Sequence, residues 1–316
     1  MPEFKRKPLE GIFCLTPLAL KEDQEINYAA IRSNIEWLEE KGIPGFIQLG
    51  CMGQMNAVSE EEFNKVCDVC VDTARGKKIA AVVSSTATST REVVRRIKYA
   101  EDAGADGSML PIPYAFPLKE EWAVEFYQTV DKSIKGEIAI MVYNYPPLTR
   151  FNITAAMWRN HLLDIKSIKA VKDSNPAVIH RDEMVMTIGD KVNFFSSSDE
   201  PFWHDAMLGG KGMIGELAWC APRVMLKYYQ ECQKGNQKDP WVMGVFRTIV
   251  KTWGTIRSAE MPALDSYEHG YLNAMVEIGG AIAGAPRKPY EPLPREARQK
   301  LEECVRPLME MEKNFE

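Results

Sequence analysis

The chain has 316 residues, of which 45% are hydrophobic and 26% charged, and its formal net charge is −5. This composition is typical of a globular protein with one large α/β barrel or two domains, long enough to fold without disulfides or metal. Its charge favours neither nucleic acid nor an anionic membrane as a partner. No apolar run has transmembrane length and no signal peptide is visible. Seven irregularly spaced cysteines favour reduced thiols, so we expect a cytoplasmic protein.

Short apolar runs alternate with amphipathic runs along most of the chain. The apolar runs predict strands at residues 11–17, 45–49, 79–84, 106–111, 138–143, 167–172, 192–196 and 212–217. The amphipathic runs predict helices at residues 26–41, 59–75, 90–104, 118–134, 154–163, 178–188 and 200–208. Strict alternation predicts a parallel sheet covered by helices. Eight such units, without a dinucleotide glycine fingerprint, favour a closed (β/α)₈ TIM barrel over an open sheet.

The pattern changes after Pro222, where helices follow one another without strands. These helices are predicted at residues 223–233, 240–257, 267–278 and 294–313. We therefore expect a barrel over residues 1–222 and a C-terminal helical region over residues 223–316 that packs on it.

Lys172 ends the sixth predicted strand, and the two-residue period places it on the face opposite Lys169. Inside the rim of a barrel, burial disfavours the ammonium form and lowers the pKa of the amine. A neutral lysine amine can form a Schiff base with a ketone. The alternative is a solvated lysine at a strand end, because long charged side chains are mostly exposed.

Catalytic residues of such barrels lie at the carboxyl ends of strands, and two further features stand there. Tyr143 ends strand five, so it should neighbour Lys172, and its phenol can relay protons. The loop from Gly50 to Gly53 after strand two can aim backbone N–H groups at an anion such as a carboxylate. A packed tyrosine and a plain turn are the alternative interpretations.

These residues resemble the dihydrodipicolinate synthase / N-acetylneuraminate lyase family of class I aldolases. The resemblance runs from about residue 11 to the end and rests on Thr16-Pro17, the glycine loop, Tyr143-Asn144-Tyr145-Pro146 and Lys172-Asp173-Ser174. It implies a lysine that forms a Schiff base with pyruvate or a 2-keto acid, a proton-shuttling tyrosine, and a tetramer. These roles fall on Lys172 and Tyr143, with Cys51 and Met52 holding the carboxylate.

The chain departs from the family pattern in two places. The family loop carries hydroxyl residues where Cys51 and Met52 stand here, and Cys51 is a poorer proton relay than threonine. The arginine that follows the strand-five tyrosine in dihydrodipicolinate synthases is replaced by Leu148, with Arg150 two residues on. Tyr114 matches the tyrosine that a neighbouring subunit contributes in that family. Dihydrodipicolinate synthesis is therefore disfavoured.

The pocket for a second reactant is expected to be apolar, which favours an aromatic or hydrophobic aldehyde and a hydratase-aldolase of the same family. The candidate substrate contacts are Tyr114, Phe116, Leu148, Ile214, Trp219 and Asn273 in addition to the glycine loop. The iminium does the polarising, so no metal or other cofactor is expected. The alternatives are a 2-keto-3-deoxy sugar acid dehydratase or aldolase and a keto-acid-binding protein without turnover.

Overall fold

Eight parallel strands form a closed barrel in the computed structural model, which describes residues 6–315. Each strand pairs with the next along the chain, and the last pairs with the first. The strands are β1 (Gly11–Leu15), β2 (Gly45–Gln48), β3 (Ala80–Val83), β4 (Gly107–Leu110), β5 (Ala139–Asn144), β6 (Ile168–Asp173), β7 (Asn193–Ser196) and β8 (Gly212–Ile214). The predicted TIM barrel is confirmed.

Helices connect successive strands. They are α1 (Tyr28–Glu40), α2 (Glu60–Ala74), α3 (Thr90–Ala103), α4 (Glu120–Ser133), α5 (Pro146–Thr149), α6 (Ala155–Asn160), α7 (Val178–Ile188) and α8 (Asp199–Asp205). The single turn α5 was not predicted, and its prolines at the first helical positions favour a helix start there. None of the helices among residues 6–315 is both long and apolar enough to cross a membrane.

Local sequence signals set several helix ends. A capping box opens α2, because the Ser59 side chain accepts from the Glu62 N–H and the Glu62 carboxylate accepts from the Ser59 N–H. Gly104 ends α3 with φ 109°, a left-handed conformation that glycine adopts at little cost. These signals fix the first residue of α2 and the last residue of α3.

The C-terminal helices are α9 (Pro222–Gln233), α10 (Pro240–Ile256), α11 (Leu264–Ile278) and α12 (Arg295–Glu312). Helix α12 contacts α9, α10 and α11, and α9 also contacts β1. Helix α11 begins before the predicted residue 267, and Tyr267 interrupts it with φ −123° and ψ 17°. A division of the chain at residue 222 stays a prediction.

Two aromatic rings fill space that two glycines leave open in the barrel. The rings of Phe13 and Phe195 meet edge to face, with centroids 5.1 Å apart. A Cβ at Gly45 would lie 2.3 Å from the Phe13 ring, and one at Gly212 would lie 2.3 Å from the Phe195 ring. Any larger residue at position 45 or 212 would displace these rings from a close-packed interior.

Candidate active site

Lys172 and Tyr143 lie side by side on neighbouring strands. They are register partners in the β5–β6 ladder, as the sequence predicted. The Lys172 Nζ lies 4.3 Å from the centroid of the Tyr143 ring, and both residues are 3% exposed. The amine and the phenol therefore share one buried position at the carboxyl end of the sheet.

A hydrogen-bond network after the two residues fixes these strand ends. The Asn144 Nδ2 donates to the Asp173 Oδ2 over 2.9 Å, and the His180 Nε2 lies 3.0 Å from the same oxygen. The Asn144 Oδ1 accepts from the Ile153 N–H. Because Asn144 and Asp173 directly follow Tyr143 and Lys172, the network holds the amine and the phenol in place.

Lys169 on the same strand shows that the orientation of Lys172 is specific. Lys169 is exposed. It lies at the point where the β5–β6 register shifts, between the partners of Ile140 and Met141. The alternation along β6 therefore sends Lys169 away from the buried face that carries Lys172, as predicted.

Burial makes the Lys172 amine a nucleophile. Removal from water lowers the pKa of Lys172, while the charges of Glu216, Cys51 and Glu268 oppose this shift. In the described part of the chain, no carboxylate lies within 4.0 Å of the Lys172 Nζ to hold it as an ammonium ion. The neutral amine is therefore accessible at a lower pH than in a solvated lysine.

Tyr143 remains a phenol. Burial raises its pKa well above the usual value, a hydrogen bond with the Ser174 side chain opposes this effect, and the Cys51 thiol adds to it. The Tyr143 ring stacks on Tyr145 with centroids 5.4 Å apart and an interplanar angle of 14°. A phenol in this position can donate its proton and take it back without becoming a stable anion.

The glycine loop leaves two backbone N–H groups without a partner. The Gly53 N–H donates to the Gly50 carbonyl and the Gln54 N–H donates to the Cys51 carbonyl. Among residues 6–315, neither the Cys51 nor the Met52 N–H donates a hydrogen bond. Two successive amides of this kind suit an anion such as a carboxylate.

Gly53 is required by a close backbone approach. A Cβ at this position would lie 2.7 Å from the Thr16 carbonyl oxygen, so a side chain would push the loop away from the end of β1. At Gly50 the nearest atom to a Cβ would be the Leu15 Cδ2 at 3.3 Å, a contact that a flexible side chain relieves more easily. Gly53 thus keeps the loop close to the end of β1, and the requirement for glycine at position 50 is weaker.

Residues of the C-terminal half anchor this loop. The Gln54 side chain bonds both the N–H and the carbonyl of Arg287. The His269 Nδ1 lies 3.0 Å from the Met52 carbonyl oxygen, and the Cys51 thiol donates to the Glu268 Oε2 over 3.4 Å. Helix α11 therefore helps to set the loop conformation.

The Lys172 amine opens into a cavity of about 150 Å³. The residues that line it are Cys51, Met52, Tyr143, Tyr145, Lys172, Ser174, Ser197, Ser198, Glu216, Trp253, Arg257, Leu264 and Glu268. An adjoining groove of about 680 Å³ shares Ser174, Ser197, Ser198 and Arg257. A small molecule bound to the amine would thus have room for a larger second reactant beside it.

Several predicted substrate contacts lie outside this lining. Trp219 is fully buried, stacks on Trp37 and donates from its Nε1 to the Leu15 carbonyl. The Asn273 Nδ2 donates to the Gly284 carbonyl, and Asn273 lines a separate cavity of about 180 Å³. Both side chains are engaged in packing away from the amine.

The other predicted contacts also lie away from the lining. Ile214 is buried on β8, where it is the register partner of Phe13 on β1. Leu148 is half-buried on α5, and Phe116 is 79% exposed. Tyr114 is half-buried in the β4–α4 connection, where burial raises its pKa. Of the predicted substrate contacts, Cys51 and Met52 of the glycine loop are among the residues that line the cavity.

Sequence reasoning missed the side chains that helices α10 and α11 supply. Trp253 and Arg257 stand on and just after α10, and Leu264 and Glu268 on α11. The guanidinium of Arg257 stacks over the Trp253 ring at 5.2 Å and pairs with Glu200. Catalytic residues are expected at the carboxyl ends of the strands, and these four residues lie on or just after helices far beyond the last strand. No signal in the sequence marked them as part of the site.

A (β/α)₈ barrel with a buried lysine and a tyrosine at the carboxyl ends of adjacent strands defines the class of aldolases that act through a lysine Schiff base. The family model of the dihydrodipicolinate synthetase family matches residues 8–308, so the chain belongs to that family. It is an enzyme of the class I lyase type. Within the described residues no group of three or more His, Cys, Asp or Glu side chains is arranged to hold a metal ion.

A curated relative resembles the chain over most of its length, and two solved structures share its fold. A 4-hydroxy-tetrahydrodipicolinate synthase of Archaeoglobus fulgidus is 28% identical over 299 residues, covering 95% of this chain and 98% of the relative. The fold matches a sialic acid aldolase of Ruminococcus gnavus with TM-score 0.85 and 18% identity, covering 97% and 98% of the two chains. It also matches an Escherichia coli prophage protein of the same family, solved with pyruvate, with TM-score 0.85 and 20% identity, covering 95% and 98%.

Proposed function

We propose that Lys172 forms a Schiff base with the 2-keto carbon of pyruvate or a similar 2-keto acid, and that the enzyme makes or breaks a carbon–carbon bond at C3. The observation that carries this proposal is the buried Lys172 amine, which has no carboxylate within 4.0 Å among the described residues and lies beside the Tyr143 ring. The solved family member in complex with pyruvate supports the choice of keto acid.

The mechanism divides the work among three groups. The Lys172 amine attacks the keto carbon, and loss of water gives an iminium that acts as an electron sink. Tyr143 donates its proton and takes it back while the carbon–carbon bond forms or breaks. The Cys51 and Met52 amides bind the keto-acid carboxylate, which leaves C3 directed toward the adjoining groove. The reaction proposed here needs no further cofactor, because the iminium itself polarises the substrate.

For the second reactant we propose an aldehyde with an aromatic or apolar body, as a hydratase-aldolase would use. Tyr145 and Trp253 offer flat aromatic surfaces in the cavity, and Met52 and Leu264 add apolar surface. Arg150, the arginine nearest to the expected family position, binds the Ala115 carbonyl and is not among the residues that line the cavity. Dihydrodipicolinate synthesis is disfavoured on this ground.

A second candidate is a polar or anionic acceptor, such as a sugar acid or a semialdehyde. Arg257 reaches both the cavity and the groove, and the hydroxyls of Ser197 and Ser198 line the same two spaces. The relatives that carry the name 4-hydroxy-tetrahydrodipicolinate synthase also favour a polar acceptor.

Borohydride reduction in the presence of pyruvate tests the Schiff base. The wild type should gain one pyruvyl mass on the peptide that contains Lys172, and Lys172→Ala should gain none. Lys169→Ala is the matched control, because Lys169 is exposed on the same strand, and it should be labelled like the wild type. A wild type that gains no mass would remove the proposal.

A panel of aldehydes offered with pyruvate, with products measured by mass spectrometry, separates the two acceptor classes. Turnover of aromatic aldehydes alone supports the hydratase-aldolase, whereas turnover of sugar or semialdehyde acceptors alone supports the polar alternative.

We also propose a homotetramer that works in the cytoplasm. Phe116 in the β4–α4 connection and Trp122 on α4 are 79% and 52% exposed, and they offer aromatic surface of the kind that a subunit contact would require. The seven cysteines are free thiols, which suits a reducing compartment. Sedimentation equilibrium tests the assembly, and a monomer at working concentration would contradict it.

A further inference from the structure

Glu216 places a second ionisable group in the Lys172 cavity. It follows β8, its side chain lines the cavity with Lys172, and it is 3% exposed. Its Oε2 is buried and has no hydrogen-bond partner among residues 6–315. A buried carboxyl oxygen without a partner is costly, so its presence beside a reactive amine points to a role in the reaction.

Asp199 is a second, fully buried carboxyl whose charge acts on Glu216. Its Oδ2 accepts hydrogen bonds from the Trp253 Nε1 at 3.2 Å and from the Leu217 N–H at 3.4 Å, whereas its Oδ1 has no partner in the described part of the chain. These two hydrogen bonds stabilise a negative charge on Asp199. Neither donor forms a hydrogen bond with Glu216.

The two carboxyls therefore differ in how they hold a proton. Burial raises the pKa of Glu216 well above its usual value and the charge of Asp199 raises it further, while Lys172 and Arg257 oppose these effects. Burial raises the pKa of Asp199 to about 7, against the hydrogen bonds from Trp253 and Leu217. When one proton is shared between them, Glu216 keeps it.

The thiols and the phenol around the pair are poor proton donors, and Glu268, the other carboxyl that lines the cavity, accepts hydrogen bonds from the Cys51 thiol and the Tyr145 hydroxyl. The Cys14 thiol donates to the Gly215 carbonyl, and burial raises its pKa, with Asp199 and Glu216 adding to the effect. Burial likewise raises the pKa of Cys51, and the charge of Glu268 raises it further. The pKa of Tyr143 is also raised well above that of an ordinary phenol. A protonated carboxyl is a stronger acid than any of these, and efficient proton donation needs an acid near the working pH.

We propose that Glu216 donates the proton that converts the carbinolamine on Lys172 into the iminium, and that Asp199 retains this proton on Glu216 until the keto acid is bound. This inference rests on the proposed Schiff base at Lys172.

The step balances in atoms and charge. The neutral Lys172 amine adds to the keto carbon, a C–N bond forms, and one amine proton moves to the former keto oxygen to give the carbinolamine. Glu216 then gives its proton to this hydroxyl, which leaves as water as the nitrogen lone pair forms the C=N bond. The products are a protonated iminium, one water and the Glu216 carboxylate, whose negative charge stabilises the new cation in a dry site.

The experiment measures how fast the pyruvate adduct forms. Each protein is mixed with pyruvate, reduced with borohydride at successive times across a pH series, and its adduct fraction is determined by intact-protein mass. The variants are Glu216→Gln, which keeps the shape but cannot donate an acidic proton, and Asp199→Asn. The control is Glu101→Gln, because Glu101 is also 3% exposed but lies on α3 and its carboxylate accepts the Lys135, Glu137 and Ile138 N–H groups.

Glu216→Gln should give the same adduct about 10²- to 10⁴-fold more slowly, the range for loss of a general acid, and its rate should no longer fall as Glu216 ionises at alkaline pH. In Asp199→Asn the alkaline decline should begin at lower pH, because Glu216 loses its proton more easily without the neighbouring charge. Glu101→Gln should match the wild-type rate.

Two outcomes distinguish the proposed role of Glu216 from the proposed Schiff base at Lys172. A wild type without adduct removes both, whereas Glu216→Gln with the wild-type rate at every pH overturns the role of Glu216 and leaves the Schiff base intact. If Glu216→Gln does not fold, as measured by circular dichroism, Glu216→Asp decides. Glu216→Asp keeps an acid and should retain an alkaline decline, and a rate without that decline would overturn the proposal.

Discussion

The cavity has two sides of different origin, the strand ends of the barrel and the helices α10 and α11. The barrel side carries Lys172, Tyr143 and Glu216, whose positions follow from strand register and from the turn after β8. The helical side carries Trp253 and Arg257, which the chain brings back from beyond the barrel. We infer that the barrel side performs the chemistry common to the family, while the helical side selects the second reactant.

Among the changes that test the two sides of the cavity, the replacement of Tyr143 by phenylalanine should have the largest effect on kcat. Tyr143→Phe removes the hydroxyl and keeps the ring stacked on Tyr145, so kcat should fall by about 10²- to 10⁴-fold with every aldehyde. Steady-state kinetics with several acceptors measures this effect.

The control for this change is Tyr127→Phe. The Tyr127 hydroxyl is buried and donates to the Leu110 carbonyl on the barrel wall. Its loss should lower the free energy of unfolding and leave kcat unchanged. A loss of kcat confined to one class of aldehyde in Tyr143→Phe would instead assign Tyr143 to acceptor binding.

The sequence predicted the barrel side better than the helical side for a physical reason. The two-residue period of a strand fixes which face Lys172 and Tyr143 occupy, and parallel strands bring their ends to one rim. A helix face that meets a cavity has no such mark, so Trp253 and Glu268 look like ordinary helix residues in the chain. Trp219 was expected in the pocket, but the turn after β8 directs its indole to the Leu15 carbonyl.

Gly53→Ala should disturb the glycine loop, where the barrel side contacts helix α11. The new Cβ would lie 2.7 Å from the Thr16 carbonyl oxygen, so the free energy of unfolding should fall by about 1–3 kcal/mol, as for an overpacked site. The shifted loop should also raise the KM for pyruvate. Gly244→Ala is the control, because nothing lies within 4 Å of a Cβ there on α10.

In Gly244→Ala, urea unfolding should show a gain of about 0.5–1 kcal/mol, because alanine is favoured in a helix interior. Equal free energies of unfolding for Gly53→Ala and Gly244→Ala would show that the glycine loop adapts to the new Cβ without strain.

Arg257→Leu tests the selective role of the helical side. The guanidinium is half-exposed and already paired with Glu200, so its loss should raise the KM for anionic acceptors by about tenfold, which corresponds to about 1.4 kcal/mol. The KM for neutral aromatic aldehydes should be unaffected. The rate of pyruvate adduct formation should also be unaffected below the pH at which Glu216 ionises, because Arg257 opposes the raised pKa of Glu216 and its loss can only move that ionisation to higher pH. Arg247→Leu is the control, because Arg247 is an exposed arginine on α10, and it should behave like the wild type. An equal loss with all acceptors would contradict the division of labour.

The smallest expected effect concerns the contact between Glu268 on α11 and Cys51 in the glycine loop, 217 residues apart in the chain. Burial and then the charge of Glu268 raise the pKa of the Cys51 thiol, so Glu268→Gln should lower that pKa and increase the thiolate fraction at a given pH. Alkylation of Cys51 by iodoacetamide, followed by peptide mass spectrometry, should therefore become a few-fold faster, whereas Cys304 on α12 serves as the internal control and should react at an unchanged rate. An unchanged rate at Cys51 would mean that the helical side shapes the pocket without acting electrostatically on the barrel loop. The predicted increase would instead show that the two sides are coupled through a single carboxylate.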